Sequence, residues 1–456
     1  MANEKSIEKK SIPVNIAEFI LKYYFLWGMF FAVTLRFFKV YRSYYTLIGA
    51  TAFFVLLYLI TNRTLYLKEF LWGHKLLSFT ACMCLLYQMF VLRLAFHTIA
   101  RGLLLYILIF TGFLYGKKYK DSFGKVLHVA TVPLAVTSIF GTIWWALWIF
   151  PLESISVDAA KFFYELPGRM VSVYVHPILA GFFMLFLVCI ALFSGPFIKE
   201  TGDAALDGKR RKIDTGIRLV MAFIGIAGVY SSLTRSAYLV LAVMLIIWAT
   251  GNKNPLKRIR KQRKKAVKKS TSIAVTIATV IGVLAVLFVI LYVTGVVEVI
   301  YNRFFGINWR DDPSYTFRMD TIGIAVRYIF KRGIGGFLFG IGAGKAYHIL
   351  EIETWLIEKY KSLPAIDNSY STMILEQGIF AFIMYFGESL YSFKKVLQMN
   401  YGEKTPQNNK PEWIYYLLLP LLTMTFIFDF QGWPGAYFVI MVLIGIDMSA
   451  VRGEDK

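Results

Sequence analysis

The main pattern of this chain is a series of long apolar runs separated by polar stretches. Most runs are close to the roughly 20 residues that an α-helix needs to cross a bilayer. Because backbone groups in lipid must be hydrogen-bonded within the membrane, and the runs are too long for barrel strands, we predict an all-α polytopic membrane protein with about 12 transmembrane helices. The runs lie near residues 16–36, 44–61, 76–93, 98–115, 127–150, 177–198, 213–230, 235–250, 272–295, 370–393, 412–430 and 434–450.

One polar stretch, residues 296–369, is far longer than the others. It holds TFRMDT around Arg318, the glycine-rich GIGGFLFGIGAGKAYH ending at His348, and the start of AIDNSYSTMILEQGIF at Ala365. A transporter usually joins its spans by short loops, so this loop is more typical of an active-site lid in an enzyme at the membrane surface. We predict one integral membrane domain over residues 1–456, with the loop on the extracytoplasmic side of the membrane.

The net charge of +22 at pH 7 could suggest nucleic acid, but its distribution indicates membrane topology instead. With a cytoplasmic N-terminus and twelve spans, the five most basic segments all fall on the inner side, as the positive-inside bias requires. The basic loop 252–269 either sets orientation alone or also binds anionic lipid headgroups. The other four basic segments are residues 62–75, 116–125, 199–212 and 394–410. We therefore expect no nucleic-acid partner.

Arginines stand at the predicted outer margin of the spans. Arg169 and His176 precede the sixth run, Arg235 stands within an apolar sequence, and Arg318 lies in the long loop. An arginine inside the membrane is costly, and its planar fork matches phosphate through two hydrogen bonds at once. These arginines are candidates for binding a phosphate-bearing ligand, whereas snorkelling to lipid headgroups is the alternative for Arg235.

The glycine cluster has neither nucleotide-binding pattern. A dinucleotide fingerprint requires a βαβ unit, and a P-loop requires Ser or Thr where Ala346 follows Lys345. We predict instead a kinked turn on the membrane surface, in which the amides near Gly342 and Gly344 can approach an anion.

Three separated blocks resemble the O-antigen polymerase and ligase superfamily of bacterial surface-polysaccharide assembly. The first two are GRMVSVYVHPILAG at 168–181 and SSLTRSAYLVLA at 231–242. The third, at 317–380, combines Arg318, GIGAG, the sequence Asp-Asn-Ser-Tyr from Asp367 and Glu-Gln-Gly-Ile from Glu376. With the twelve-span layout, the resemblance covers about two-thirds of the chain.

The resemblance implies a glycosyltransferase of the bacterial cytoplasmic membrane that joins lipid-linked repeat units at its outer face, as for O-antigen, capsule or exopolysaccharide. Its donor would be a glycan on polyprenyl diphosphate, with no cofactor and no metal, and membrane lipids and a chain-length regulator would be its partners. Arg235, Arg318 and Arg169 would bind the diphosphate, and Asp367 or His348 would take the acceptor proton. The expected substrate contacts are His176, Asn368, Tyr370, Gly342 and Gly344.

Two departures from the family pattern bear on the reaction. Ile178 follows His176-Pro177 where the family has asparagine, and Asp367 stands where the ligase branch has histidine. The second departure favours a polymerase over a ligase that transfers glycan to an acceptor lipid. His348 could replace that histidine only if the loop folds it back.

Several alternatives stay open from the sequence. Asp367 could be the N-cap of the helix that follows it. A lipid-linked oligosaccharide flippase would also have about twelve spans, although it should carry midplane charges and matching halves. A peptidoglycan glycan polymerase is a third possibility, but the residue pattern of that class is not found.

Overall fold

The structure is a computed structural model that describes residues 12–37, 43–149, 170, 172–174, 176–198, 204–250, 301, 313–360, 366–401 and 413–449. Every regular element within these ranges is helical, as predicted. The α-helices are α1 Ile12–Lys22, α2 Tyr24–Phe37, α3 Ser43–Asn62, α4 Leu67–Gly73, α5 Lys75–Leu86, α6 Phe96–Ile149, α7 Pro177–Phe193, α8 Ala204–Ser231, α9 Arg235–Thr250, α10 Pro313–Lys331, α11 Gly333–Phe339, α12 Lys345–Ile352, α13 Thr354–Tyr360, α14 Ser369–Tyr401, α15 Ile414–Met424 and α16 Pro434–Met448.

Among the described residues, three helices are long and apolar enough to cross a membrane by length and composition, within Tyr44–Asn62, Phe96–Ala146 and Leu206–Ser231. Two bent pairs, α1 with α2 and α4 with α5, raise the number to five if each pair is one span. The predicted count of twelve is therefore not confirmed. The predicted spans at 272–295 and the basic loop 252–269 lie outside the described residues.

The predicted spans 98–115 and 127–150 fall within the single helix α6. The basic segment 116–125 between them was predicted as a loop, but it is helical here. Lysine is a good helix former, and within this segment Lys117 pairs with Glu69 and Lys118 lies 3.5 Å from Glu18. The hydropathy pattern shows the charges between the two apolar runs. It does not show that the helix continues through them.

The centre of the bundle is formed by α7 and α16, whose residues are buried on almost every side. A helix that is apolar all round belongs inside a bundle or a membrane. Helices α2, α6, α8 and α15 pack around this pair. At Gly112 and Gly445, α6 and α16 approach so closely that a side chain would meet the opposite backbone, as is usual where membrane helices cross at small residues.

The described part of the long loop has a hydrophobic core of its own. Helices α10, α12 and α13 contribute to it, and α14 closes one side. Its buried members are Ile324, Ala325, Ile329, Ile341, Ala346, Ile349, Leu350, Leu356, Ile366 and Leu375. Lys359 and Tyr360 of α13 each donate a hydrogen bond to Asp320 of α10, at 2.7 and 2.8 Å. The loop is thus a folded layer on the helix bundle.

Candidate functional site

The segment between α15 and α16, residues 425–433, organises the candidate site; we call it the α15–α16 connection. Ser369 Oγ donates to the Phe428 carbonyl at 3.0 Å and accepts from the Phe430 amide at 2.9 Å. Asn368 Nδ2 donates to the Phe426 carbonyl at 2.7 Å. These bonds fix the start of α14, and with it Asp367, against the connection.

Asp367 faces Arg318 of α10. Arg318 Nε lies 3.6 Å from Asp367 Oδ2, and the two side chains are 25% and 23% exposed. This distance is longer than a direct hydrogen bond, and Arg318 Nε makes none with the described residues. Burial raises the pKa of Asp367 above its ordinary value, while the nearby Arg318 opposes that rise. Two residues predicted for separate roles therefore form one charge pair.

The N-cap of α14 is Asn368 and not Asp367. Asn368 Oδ1 accepts a hydrogen bond from the Ser371 amide at 2.9 Å, which is the usual contact between an N-cap and the third helical residue. The alternative that Asp367 is the N-cap is therefore wrong, because the cap is the next residue, Asn368. The side-chain oxygen and nitrogen of Asn368 both form hydrogen bonds within the chain. A contact between Asn368 and a substrate stays a prediction.

His176 contacts the α15–α16 connection, and Arg235 follows a residue that is bonded next to His176. The His176 ring stacks on Phe428 with centroids 4.9 Å apart, and its Nδ1 accepts from the Ile178 amide at 3.2 Å to cap α7. Thr234 donates to the Pro177 carbonyl at 3.1 Å, which places Arg235, the first residue of α9, beside that cap. A cation at a helix N-terminus is disfavoured by the helix dipole. An anion-binding role for Arg235 stays a prediction.

The glycine-rich turn, residues 340–344 between α11 and α12, is inserted into a break in α14. Gly378 has φ 84° and ψ 176°, which interrupts the helix and frees the carbonyls before it. The amides of Ile341 and Gly342 donate to the carbonyls of Leu375 and Glu376, at 2.9 and 3.0 Å. A Cβ at Gly378 would overlap the Leu338 carbonyl, so the left-handed φ and the close approach both require glycine here.

This arrangement differs from the open turn predicted from the sequence. Gly342 is buried with its amide bonded to α14, and the Glu376 carboxylate accepts from the Ala346 amide at 3.1 Å. The chain's own carboxylate thus binds the amide of Ala346 and also interacts with the amide of Gly344, which was predicted to approach an anion. Contacts from Gly342 and Gly344 to substrate stay predictions.

The remaining predicted residues are not gathered around Asp367. Tyr370 is buried, with its hydroxyl 2.6 Å from Ser389 Oγ and its ring stacked on Phe426. The His348 ring is 61% exposed on α12 and lies 3.6 Å from Glu351 of the same helix. Arg169 lies outside the described residues. Asp367 is therefore better placed than His348 beside the cations of the site.

Two ionisable residues near the site were not singled out in the sequence. Asp429 lies in the α15–α16 connection, where its Oδ1 accepts from the Gln431 amide at 3.0 Å and lies 3.4 Å from Ser369 Oγ. Burial, and then the nearby Glu376, raise the pKa of Asp429 to about 7. An acid inside the apolar sequence TFIFDFQGW was the available signal.

The second is Arg101 of α6, one turn inside an apolar run that was interpreted only as a span. Its guanidinium carbon lies 4.3 Å from the centroid of the Tyr44 ring.

No group of three or more His, Cys, Asp or Glu side chains that could hold a metal ion occurs in the described parts of the chain.

Residues 220–386 match a family model described as O-Antigen ligase. The match includes Arg235, Arg318 and Asp367, together with the glycine-rich turn and the break at Gly378. No match to the chain was found among curated proteins. The family match supports a membrane enzyme of the O-antigen ligase or polymerase type, and the predicted resemblance to the O-antigen polymerase and ligase superfamily is thus confirmed over residues 220–386.

Proposed function

We propose that this protein is a membrane glycosyltransferase that polymerises oligosaccharide repeat units carried on polyprenyl diphosphate, at the outer face of a bacterial cytoplasmic membrane. The observation that carries the proposal is the Arg318–Asp367 pair at 3.6 Å, held beside the α15–α16 connection against which the His176 ring stacks. A cation and a carboxylate at one place are the two groups that this transfer needs.

In the proposed reaction, a hydroxyl oxygen of the incoming repeat unit forms a bond to the first sugar carbon of the growing chain. The bond from that carbon to the diphosphate oxygen breaks, and polyprenyl diphosphate leaves with the electron pair. Arg318 and Arg235 would stabilise the charge that develops on the leaving oxygen. Asp367 would take the hydroxyl proton, and its raised pKa makes it a better base than an ordinary aspartate near neutral pH.

A ligase that transfers the glycan to an acceptor lipid is the second candidate, favoured by the description of the matching family. The residue that stands against it is Asp367, since the ligase branch has histidine at this position. The His348 ring is 61% exposed on α12 and lies 3.6 Å from Glu351 of its own helix, which supports Asp367 over His348 as the base.

The experiment is reconstitution of the purified full-length protein with lipid-linked repeat units as the only glycan. A polymerase should produce a ladder of longer lipid-linked chains without another acceptor. A ligase should give no product until an acceptor lipid is added, and product formed only under that condition would reject the polymerase. Arg318→Ala should abolish the ladder while the protein still accumulates in the membrane.

A further inference from the structure

Arg101 lies in the second turn of α6, inside the helix bundle and close to the glycine-rich turn. The Tyr44 ring is 4.3 Å from its guanidinium carbon, and a Cβ on Gly344 would lie 2.6 Å from Arg101 Nη1. Gly344 has φ +79°, so the turn both favours glycine and leaves space that the guanidinium occupies. The Arg101 guanidinium therefore lies between the face of the Tyr44 ring and the backbone of Gly344.

The nearest acids are held by other donors. The Glu376 carboxylate accepts from the Ala346 amide at 3.1 Å, and the Asp429 carboxylate accepts from the Gln431 amide at 3.0 Å. Both interact electrostatically with Arg101, yet among the described residues no carboxylate lies within ion-pair distance of it. They offset its charge in the interior, and the Tyr44 hydroxyl also interacts with the guanidinium. The guanidinium has five N–H donors in all, so Tyr44 alone does not use all of them.

We propose that Arg101 binds a phosphate group of the prenyl-diphosphate-linked substrate, as a binding residue beyond Arg235 and Arg318. The inference rests on the proposed function and adds to it a position deeper in the bundle. A guanidinium binds phosphate through two parallel hydrogen bonds, and stacking on Tyr44 fixes its plane before the ligand arrives. Arg101 is itself partly exposed, so a ligand can reach it.

Asp429 connects this position to the rest of the site. It interacts electrostatically with Arg101 on one side and with Asp367 on the other. Asp429 Oδ1 also lies 3.4 Å from Ser369 Oγ, two residues after Asp367, so the sugar-bearing end of a diphosphate bound at Arg101 would extend towards Asp367.

The test measures binding of farnesyl diphosphate to the purified full-length protein in detergent, with inorganic diphosphate, farnesol and phosphatidylglycerol as competitors. Farnesyl diphosphate should bind, inorganic diphosphate should compete weakly, and farnesol and phosphatidylglycerol should not compete. Arg101→Gln should weaken binding by about 10- to 100-fold, as expected for loss of one or two charge-assisted hydrogen bonds. Arg327→Gln, at an exposed arginine of α10, is the matched control and should bind as the wild type does.

Two further variants decide the case if Arg101→Gln fails to accumulate. Arg101→Lys keeps the charge that Glu376 and Asp429 balance but loses the planar fork, and Gly344→Ala displaces the guanidinium without removing it. Both should weaken binding. Arg101→Lys should keep its thermal stability closer to the wild type, whereas Gly344→Ala also strains the backbone at φ +79° and should lose some stability.

The possible results separate this inference from the proposed function. Wild-type affinity in Arg101→Lys and Gly344→Ala, while Arg318→Ala loses affinity, would overturn the role of Arg101 and leave the function intact. Competition by phosphatidylglycerol equal to that of farnesyl diphosphate would make Arg101 a lipid-headgroup site and overturn the assignment to substrate. No binding by the wild-type protein would overturn both.

Discussion

Asp367 and Asn368 are neighbours in the chain, but they have different partners. Asn368 caps α14 and bonds to the α15–α16 connection, whereas Asp367 faces Arg318. Partly exposed ion pairs contribute only about 0–1 kcal/mol to stability, and a lost N-cap costs about 1 kcal/mol. At the scale of single residues, two adjacent side chains therefore have different contacts: Asn368 holds the start of α14, and Asp367 faces a cation.

We predict that substitutions at these two positions separate the two effects. Asn368→Ala should lower the free energy of unfolding by about 1 kcal/mol or more, since it loses the cap and the bond to Phe426. Asp367→Asn should leave the melting temperature in detergent near that of the wild type but abolish chain elongation, because an amide cannot take the proton. Elongation at the wild-type rate in Asp367→Asn would reject Asp367 as the base.

Asp429 gives a second prediction, on pH. Its pKa is raised from about 3.8 to about 7 in the folded protein, so the folded state favours the protonated form. Its contribution to stability is therefore most favourable below pH 4 and is lost as pH rises through 7. Three other charged groups interact electrostatically with Asp429, namely Glu376, Asp367 and Arg101. They are the same in the wild type and in Asp429→Asn.

The difference in melting temperature between Asp429→Asn and the wild type should therefore grow in favour of the variant from pH 5 to pH 8. Thermal unfolding in detergent at several pH values measures it. Asp320→Asn is a useful control, because hydrogen bonding to Lys359 lowers the pKa of Asp320 instead, so that this variant should lose stability relative to the wild type across the same range. A constant difference for Asp429→Asn would show that Asp429 does not titrate near neutrality.

At the scale of elements, the notable feature is that one helix is interrupted to receive a loop. The break at Gly378 frees carbonyls that the glycine-rich turn then binds, and Gln88 of the π-helical turn after α5 lies 3.4 Å from the Glu376 carbonyl. Buried backbone groups are almost always paired, so neither the break nor the turn would be stable without the other. The folded loop is joined to the bundle at this junction.

We predict that Gly378→Ala destabilises this junction strongly. An alanine at φ 84° costs about 1–2 kcal/mol in backbone conformation alone, and its Cβ would overlap the Leu338 carbonyl. The control is Gly387→Ala on the same helix, where nothing lies within 4 Å of the added Cβ and the substitution should be neutral or stabilising by up to about 1 kcal/mol. Equal melting temperatures for the two variants would contradict the insertion of the turn into α14.

At the scale of the whole molecule, the arrangement is a buried pair of apolar helices surrounded by others, with a folded layer formed by α10 to α13. This layer carries Arg318 and packs on α14, whose first residues hold Asp367 beside the α15–α16 connection. The layer and the bundle therefore each contribute one member of the charge pair. A change in how the layer sits on the bundle would change the distance between Arg318 and Asp367.

The positive-inside bias leads to a topology prediction for the whole chain. In a variant whose three cysteines are replaced, a cysteine at Glu358, which is exposed on α13, should react with a membrane-impermeant reagent on intact cells. A cysteine at Arg260, in the basic loop 252–269, should react only after the cells are opened. The reverse labelling pattern would overturn the orientation and place the site on the cytoplasmic side.

The sequence by itself determined the helical class, the membrane character and the family resemblance, because apolar run length and the order of short motifs are local properties of the chain. It also identified Arg318, Asp367 and Arg235, since charges beside apolar runs are visible without a structure. It predicted two separate spans on either side of residues 116–125, whereas the structure has one helix that continues through the lysines of this segment.

Only the tertiary structure decided which of these residues meet. The pairing of Arg318 with Asp367 depends on the packing of α10 against α14, and the cap at Asn368 depends on where that helix begins. The insertion of the glycine-rich turn at Gly378 joins segments more than thirty residues apart, and Arg101 is separated from Glu376 by most of the chain. Such contacts follow from packing and from the pairing of buried backbone groups, which periodicity along a sequence does not record.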